Sequence, residues 1–288
     1  MKNLYGSLHG RSAGTFSSVL FATIIVALSS LAHAGEEKAE LVIGGTGTAL
    51  GGMQLLAKAF SEDHPDIKTV VLPSLGSGGG IKALDAGKVA LAFSARPLKQ
   101  EERAKGLSAI PYARTPVVFA VHKKTTFDRL ELEDLLAIYS GATSSWPDGT
   151  PLRLILRPEH DSDTRLLRGL SPEMDAAVTE AHSRKDLFIA LNDQDNAAVL
   201  ETVPGSFGMT TLAQILSESR NLKPLIFNGQ LPSLEAVQTG KYPHFKSLYL
   251  VVGNAPSEPA EAFRAFIFST TGRNILSATG HIVADPDR

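Results

Sequence analysis

Two glycine-rich stretches carry the densest chemistry in this chain. Gly44-Gly45-Thr46-Gly47-Thr48-Ala49-Leu50 and Ser74-Leu75-Gly76-Ser77-Gly78-Gly79-Gly80 each lie between a β-type run and a helical one. A helix N-terminus leaves backbone N–H groups unpaired and carries partial positive charge. Glycine lets such backbone approach a ligand closely, and threonine and serine add hydroxyl donors. Two loops of this kind at one end of a sheet grip an anion from two sides. Neither is a nucleotide motif. Gly80-Ile81-Lys82-Ala83 lacks the Gly-Lys-Ser/Thr of a Walker loop, and Leu50 stands where the dinucleotide fingerprint needs its third glycine. Taken singly, each loop also reads as a tight βα turn with a helix cap. The pair points to anion binding.

Two further segments add polar groups. Leu91-Ala92-Phe93-Ser94-Ala95-Arg96-Pro97-Leu98 sets Ser94 and Arg96 just past the carboxyl end of a strand, where open α/β sheets bind ligands. Arg157-Pro158-Glu159-His160-Asp161-Ser162-Asp163-Thr164-Arg165 again joins strand, loop and helix. Ser162 and Asp163 are candidate helix caps. Arg157 with the Ser162 and Thr164 hydroxyls also suits a tetrahedral oxyanion, because guanidinium offers a planar fork of donors. The six histidines beyond residue 34 (64, 122, 160, 182, 244 and 281) are scattered without ligand spacing, and there is no cysteine. No metal and no cofactor are therefore expected. Ser77 is not in a nucleophile elbow, because Leu75 occupies the first glycine position. An exported phosphate-ester hydrolase is the alternative from a different class.

The elements that must position these groups alternate. Leu41–Gly44, Lys68–Leu72, Val89–Phe93, Ala109–Tyr112 and Val117–Val121 read as strands, with helices over 51–62 and 81–86 between them. The pattern then repeats. Helices are expected over 132–139, 162–170, 172–181, 192–201, 259–269 and 271–278, and strands over 152–156, 206–209, 222–227 and 247–252. This βαβα rhythm predicts an α/β fold with mixed, mostly parallel sheets flanked by helices.

Residues 1–34 read as a secretory signal peptide, with Lys2 and Arg11 in the charged region, an apolar run Val19–Leu31, and Ala32-His33-Ala34 before the cut. The apolar run is shorter than the roughly 20 residues a membrane span needs. Losing Lys2 and Arg11 takes the formal charge from −2 to −4, which argues against a nucleic-acid partner. Without cysteine the chain has neither disulfides nor a lipid-anchoring site, so a freely diffusing periplasmic monomer is expected.

In this order, Gly45–Leu50, Gly76–Lys82, Ser94–Leu98 and Arg157 with Ser162–Thr164 resemble the motifs of the periplasmic phosphate-binding proteins of Pst-type ABC transporters. They also resemble those of the wider phosphate-binding-like solute-binding family. Asp195-Asn196-Ala197 and Pro204–Gly208 resemble a later segment of the same family. The resemblance implies a two-lobed (type II) periplasmic solute-binding protein and an ABC transporter permease as partner. Lobe 1 would comprise 35–115 and 247–288, and lobe 2 residues 116–246. By the same resemblance, binding falls to Thr46, Thr48, Ala49, Leu50, Ser77, Gly78, Ser94, Arg96, Arg157, Ser162, Asp163 and Thr164. Phosphate is the implied ligand, with sulfate or molybdate, or a transporter-independent sensor role, as alternatives. Three departures stand out. Family members carry an acceptor aspartate near Ala95, Asp163 replaces a glycine, and one extra residue separates Arg157 from Ser162. Asp163 is the expected substitute for the missing carboxylate.

Overall fold

The computed structural model describes residues 38–284; the signal peptide read over 1–34 lies outside the described residues. In chain order the elements are β1 (Ala39–Gly45), α1 (Gly47–Asp63), β2 (Ile67–Val71), α2 (Gly76–Asp85), β3 (Leu91–Ser94), α3 (Gln100–Arg103), β4 (Ser108–His122), β5 (Arg129–Leu130), α4 (Leu132–Tyr139), β6 (Arg153–Leu156) and α5 (Ser162–Arg168). There follow α6 (Pro172–Ser183), β7 (Phe188–Ile189), α7 (Asp193–Thr202), β8 (Ser206–Thr211), α8 (Leu212–Ser217), β9 (Leu222–Pro224), β10 (Ile226–Phe227), α9 (Leu234–Gln238), β11 (Phe245–Val252), α10 (Glu258–Phe268), α11 (Thr270–Ala278) and β12 (Ile282–Val283). No helix among the described residues is long and apolar enough to cross a membrane.

The main sheet runs β2-β1-β3-β11-β4-β8-β6-β7, and β12 and β9 also pair with β4. Its two ends are parallel, β1 with β2 and β3, and β6 with β7 and β8. The antiparallel ladders lie in the middle, where β4 and β11 pair. The first half of β4 pairs with β11 from Ser108 to Pro116, and the second half pairs with β8 from Val117 to Val121.

The sequence reading divides this stretch into two strands, Ala109–Tyr112 and Val117–Val121. The structure shows one 15-residue strand. Pro111 falls beside the register shift at Leu248/Tyr249, and Pro116 stands where the strand exchanges β11 for β8. At both places a missing N–H disrupts little.

Alternation along β4 serves separate cores, since successive side chains point to opposite faces. Val117, Phe119 and Val121 join Leu135, Trp146, Val178 and Phe207. Val118 and Ala120 face Ile155, Leu200 and Ile215. Earlier in the strand, Tyr112 packs with Leu41, Met53, Phe60, Phe93 and Phe263. Ile81, Val89, Ala92 and Val251 fill the opposite face of that half.

Helix α2 begins at Gly76 and not at the expected 81. Within it Gly80 has no room for a side chain, because a Cβ there would come within 2.6 Å of the Gly45 Cα. Close packing of backbone on backbone, rather than loop freedom, is what Gly80 supplies.

Candidate functional site

Four helix N-termini face one cleft of about 620 Å³. Thr46 contributes from α1, Gly76 to Gly79 from α2, Asp161 and Ser162 from α5, and Asn192 and Asp193 from α7. The loops of the first half are tied together. Thr46 N donates to Phe93 O at 3.0 Å, Leu75 N to Gly45 O at 2.9 Å, and Ala95 N to the Ser77 hydroxyl oxygen at 2.9 Å. Ser77 therefore keeps its own O–H as a donor at the cleft wall.

Arg157 follows β6 and its side chain is only 5% exposed. Its Nη1 donates to Ala190 O at 2.8 Å and its Nη2 to Asp161 Oδ2 at 2.9 Å, while Nε has no hydrogen-bond partner among the described residues. Guanidinium has five N–H donors, so this buried arginine retains donors for a guest. Thr164 donates to Arg157 O at 3.2 Å and thereby holds the arginine loop.

Lys246 enters from β11 and is the residue that sequence reading missed. It is buried, with Nζ 2.5 Å from Asp163 Oδ1 and 3.4 Å from Thr48 Oγ1. A lone lysine in a strand carries no motif. The only sequence signal was a charge interrupting the apolar alternation of β11. Asp193 was missed as well. Its Oδ1 accepts the Thr48 hydroxyl at 3.2 Å, and its Oδ2 lies 3.8 Å from Arg157 Nη2.

Two cations and three carboxylates thus share one buried cluster. Burial alone would lower Arg157, but Asp193, Asp161 and Asp163 more than offset it and hold its pKa up. Lys246 behaves alike, with burial opposed by Asp163, Asp193 and Asp161. Burial is also the main influence on Asp163 and pushes it above the usual carboxylate range, although Lys246 pulls the other way. Burial likewise acts to raise Asp161, but Lys246, Arg157 and the Asp163 N–H outweigh it and bring it below that range.

Of the twelve expected residues, Thr46, Ser77, Gly78, Arg96, Arg157 and Ser162 line the cleft. Thr48 lies directly beneath, joined to Asp193 and Lys246. Asp163 is buried against Lys246, and Thr164 against the Arg157 loop. Ala49 packs into the core with Met53 and Leu56, and Leu50 does not line the cleft. Ser94 is wholly buried and donates to Arg96 O at 2.7 Å, so its hydroxyl serves its own turn. Arg96 is gripped in a bidentate pair with Glu102 at 2.8 and 2.7 Å, and that pairing pulls Glu102 down to about 2. The cap of α5 is Asp161, which accepts from Asp163 N at 2.9 Å, and not Ser162 or Asp163.

Among the described residues no group of three or more His, Asp or Glu side chains is placed to hold a metal ion. The arrangement can instead surround a small oxyanion with helix amides, hydroxyls and a guanidinium.

Known proteins share this architecture. The chain is 24% identical to the phosphate-binding protein PstS of Staphylococcus aureus (strain MRSA252), the match covering 88% of this chain and 80% of that one. A putative phosphate ABC transporter substrate-binding protein of Clostridium perfringens, solved with bound phosphate, superposes with a TM-score of 0.71 at 19% identity, over 85% of this chain and all of that one. An ABC-type phosphate transport receptor of Vibrio cholerae gives 0.58 at 18% identity, again over 85% of this chain and all of the other. The fold is thus the two-lobed α/β fold of the solute-binding proteins. A family model described as the PBP superfamily domain matches residues 32–271, and the chain belongs to that family.

Proposed function

We propose that this protein captures inorganic phosphate outside the inner membrane and presents it to an ABC transporter permease, without catalysing a reaction. The observation that carries the reading is convergence. Helix N-termini from both halves of the sheet, Ser77 and the buried Arg157 line one cleft. Proteins named for phosphate binding share the fold and most of the chain length.

Within this reading the ligand contacts are Thr46, Ser77, Gly78, Arg157 and Ser162, with Thr48 and Lys246 below. Residues 35–115 and 247–288 form one lobe, and 116–246 the other. The change of partner along β4 at Pro116 and the separate cores on either side of it support that division. Ligand must favour the closed arrangement over the open one, because only differential affinity shifts such an equilibrium. Export follows from the leader read over residues 1–34.

The test is calorimetric titration of the ligand-stripped protein with phosphate, sulfate, molybdate and arsenate, beside an assay of phosphate-ester turnover. Phosphate should bind and raise the melting temperature, with no turnover. Absence of phosphate binding, or hydrolysis at a steady rate, defeats the reading.

A further inference from the structure

Helix α1 brings its N-terminus to the cleft, yet its first turns rest on side chains from the other half of the molecule. Gln194 Nε2 donates to Gly47 O at 3.0 Å, across 147 residues of chain, and to Glu218 Oε1 at 2.9 Å. Both hydrogens of the amide are thereby spent. Gln194 Oε1 is buried and has no hydrogen-bond partner among the described residues. A flipped amide would set that oxygen against two acceptors, so the neighbours fix its orientation.

The partners of Gln194 are themselves held. Arg220 donates to Glu218 Oε2 through Nε at 2.8 Å, with its Nη2 2.6 Å from the same oxygen, and its Nη1 donates to Glu201 at 3.1 Å. None of these three side chains is more than 19% exposed. Gln214 Nε2 donates to Asp193 O at 3.1 Å and fixes the start of α7. Facing them, α1 offers bare backbone. A Cβ on Gly47 would lie 2.6 Å from Gln194 Oε1, and one on Gly51, a turn later, 2.6 Å from Glu218 Cγ.

The α1 N-terminus and Arg157 line one cleft from opposite halves, so an anion that uses both needs the halves joined. A contact between the halves that touches no ligand raises the fraction of protein in the joined form, and apparent affinity scales with that fraction. We propose that Gln194 is a positioning residue for anion capture. It clasps the first turn of α1 to the start of α7 and the end of α8, and so sets how far the cleft stays closed. The inference rests on the lobe division of the reading above, which places α1 in one lobe and α7 and α8 in the other.

The experiment compares wild type with Gln194→Met and Gly51→Ala. Methionine keeps the length of glutamine without its donors, and Glu218 still has Arg220. Alanine at 51 favours the helix but meets Glu218, so it wedges α1 from its seat with every hydrogen-bonding group still present. In X-ray scattering without ligand, both variants should have a larger radius of gyration than wild type. In calorimetry both should bind phosphate and arsenate roughly five- to tenfold more weakly, by one common factor, because the clasp touches neither anion.

A merely structural role would lower the ligand-free melting temperature and leave the radius and the affinities alone. A Gln194→Met radius equal to that of wild type overturns the inference. So do losses that differ between phosphate and arsenate, which would make Gln194 a ligand contact. If Gln194→Met does not fold, Gly51→Ala decides by the same two readouts. Wild type that binds no phosphate would defeat the parent reading, and the ligand-free scattering would still decide the clasp.

Discussion

Lys246 Nζ and Asp163 Oδ1 lie 2.5 Å apart, each side chain 5% exposed or less, and join the crossing strand β11 to the first turn of α5. Removing one partner of a buried pair leaves an uncompensated charge, which costs about 3–5 kcal/mol. Lys246→Met should destabilise by that amount in urea unfolding. Adding Asp163→Asn should recover most of the loss, because the remaining charge is then gone. A single variant within ~1 kcal/mol of wild type would mean that the pair is solvated.

The two arginines at the cleft should differ sharply. Arg96 is engaged by Glu102 through both terminal nitrogens, whereas Arg157 keeps an unpaired Nε. Losing a charged hydrogen bond costs about 1.5–3 kcal/mol, so Arg157→Lys should weaken phosphate binding roughly ten- to hundredfold, the fork being lost although the charge remains. Arg96→Ala should change affinity less than about threefold, since Glu102 already holds both of its terminal nitrogens. Equal losses in calorimetry would reverse the assignment.

Gly80→Ala sets two effects against each other. Helix propensity favours alanine by about 1 kcal/mol. Against that, the new Cβ would meet the Gly45 Cα at 2.6 Å, and backbone cannot swing aside as a side-chain tip can. Overpacking of this kind costs about 1–3 kcal/mol, so the clash wins and the melting temperature should fall. An unchanged or higher melting temperature would show that β1 and α2 separate easily.

His281 predicts an acid-side loss of stability. Burial pushes its imidazole down to about 4 from 6.5, with Leu276 O 3.2 Å from Nδ1 and Nε2 lacking a partner. Between those two values the unfolded chain binds a proton that the folded protein refuses. The contribution is therefore fully present above 6.5 and is lost as pH falls toward 4, on the order of 3 kcal/mol in total. His281→Gln should flatten the unfolding free energy across that window. A variant with the same acid slope as wild type would assign the loss to carboxylates instead.

The periodicities that set the elements were legible in the residues. The 3.6-residue pattern of 132–139 coincides with α4, and the apolar residues mark β1, β3, β6 and β11. The glycine loops and the Arg157 segment were also legible from their residue types and their places between strand and helix. Thr46, Ser77 and Arg157 stand at its wall. Some of the donors in and around the cleft are taken locally, and others by partners far along the chain. Glu102 takes the fork of Arg96, six residues away, and Ser94 turns back on its own loop. Lys246 and Asp193 arrive at Thr48 over separations of 198 and 145 residues. Local sequence reports propensity and pattern, which act over a few residues. The balance of charge in a buried cluster depends on which strands cross and which helix ends meet, and only the tertiary structure supplies that.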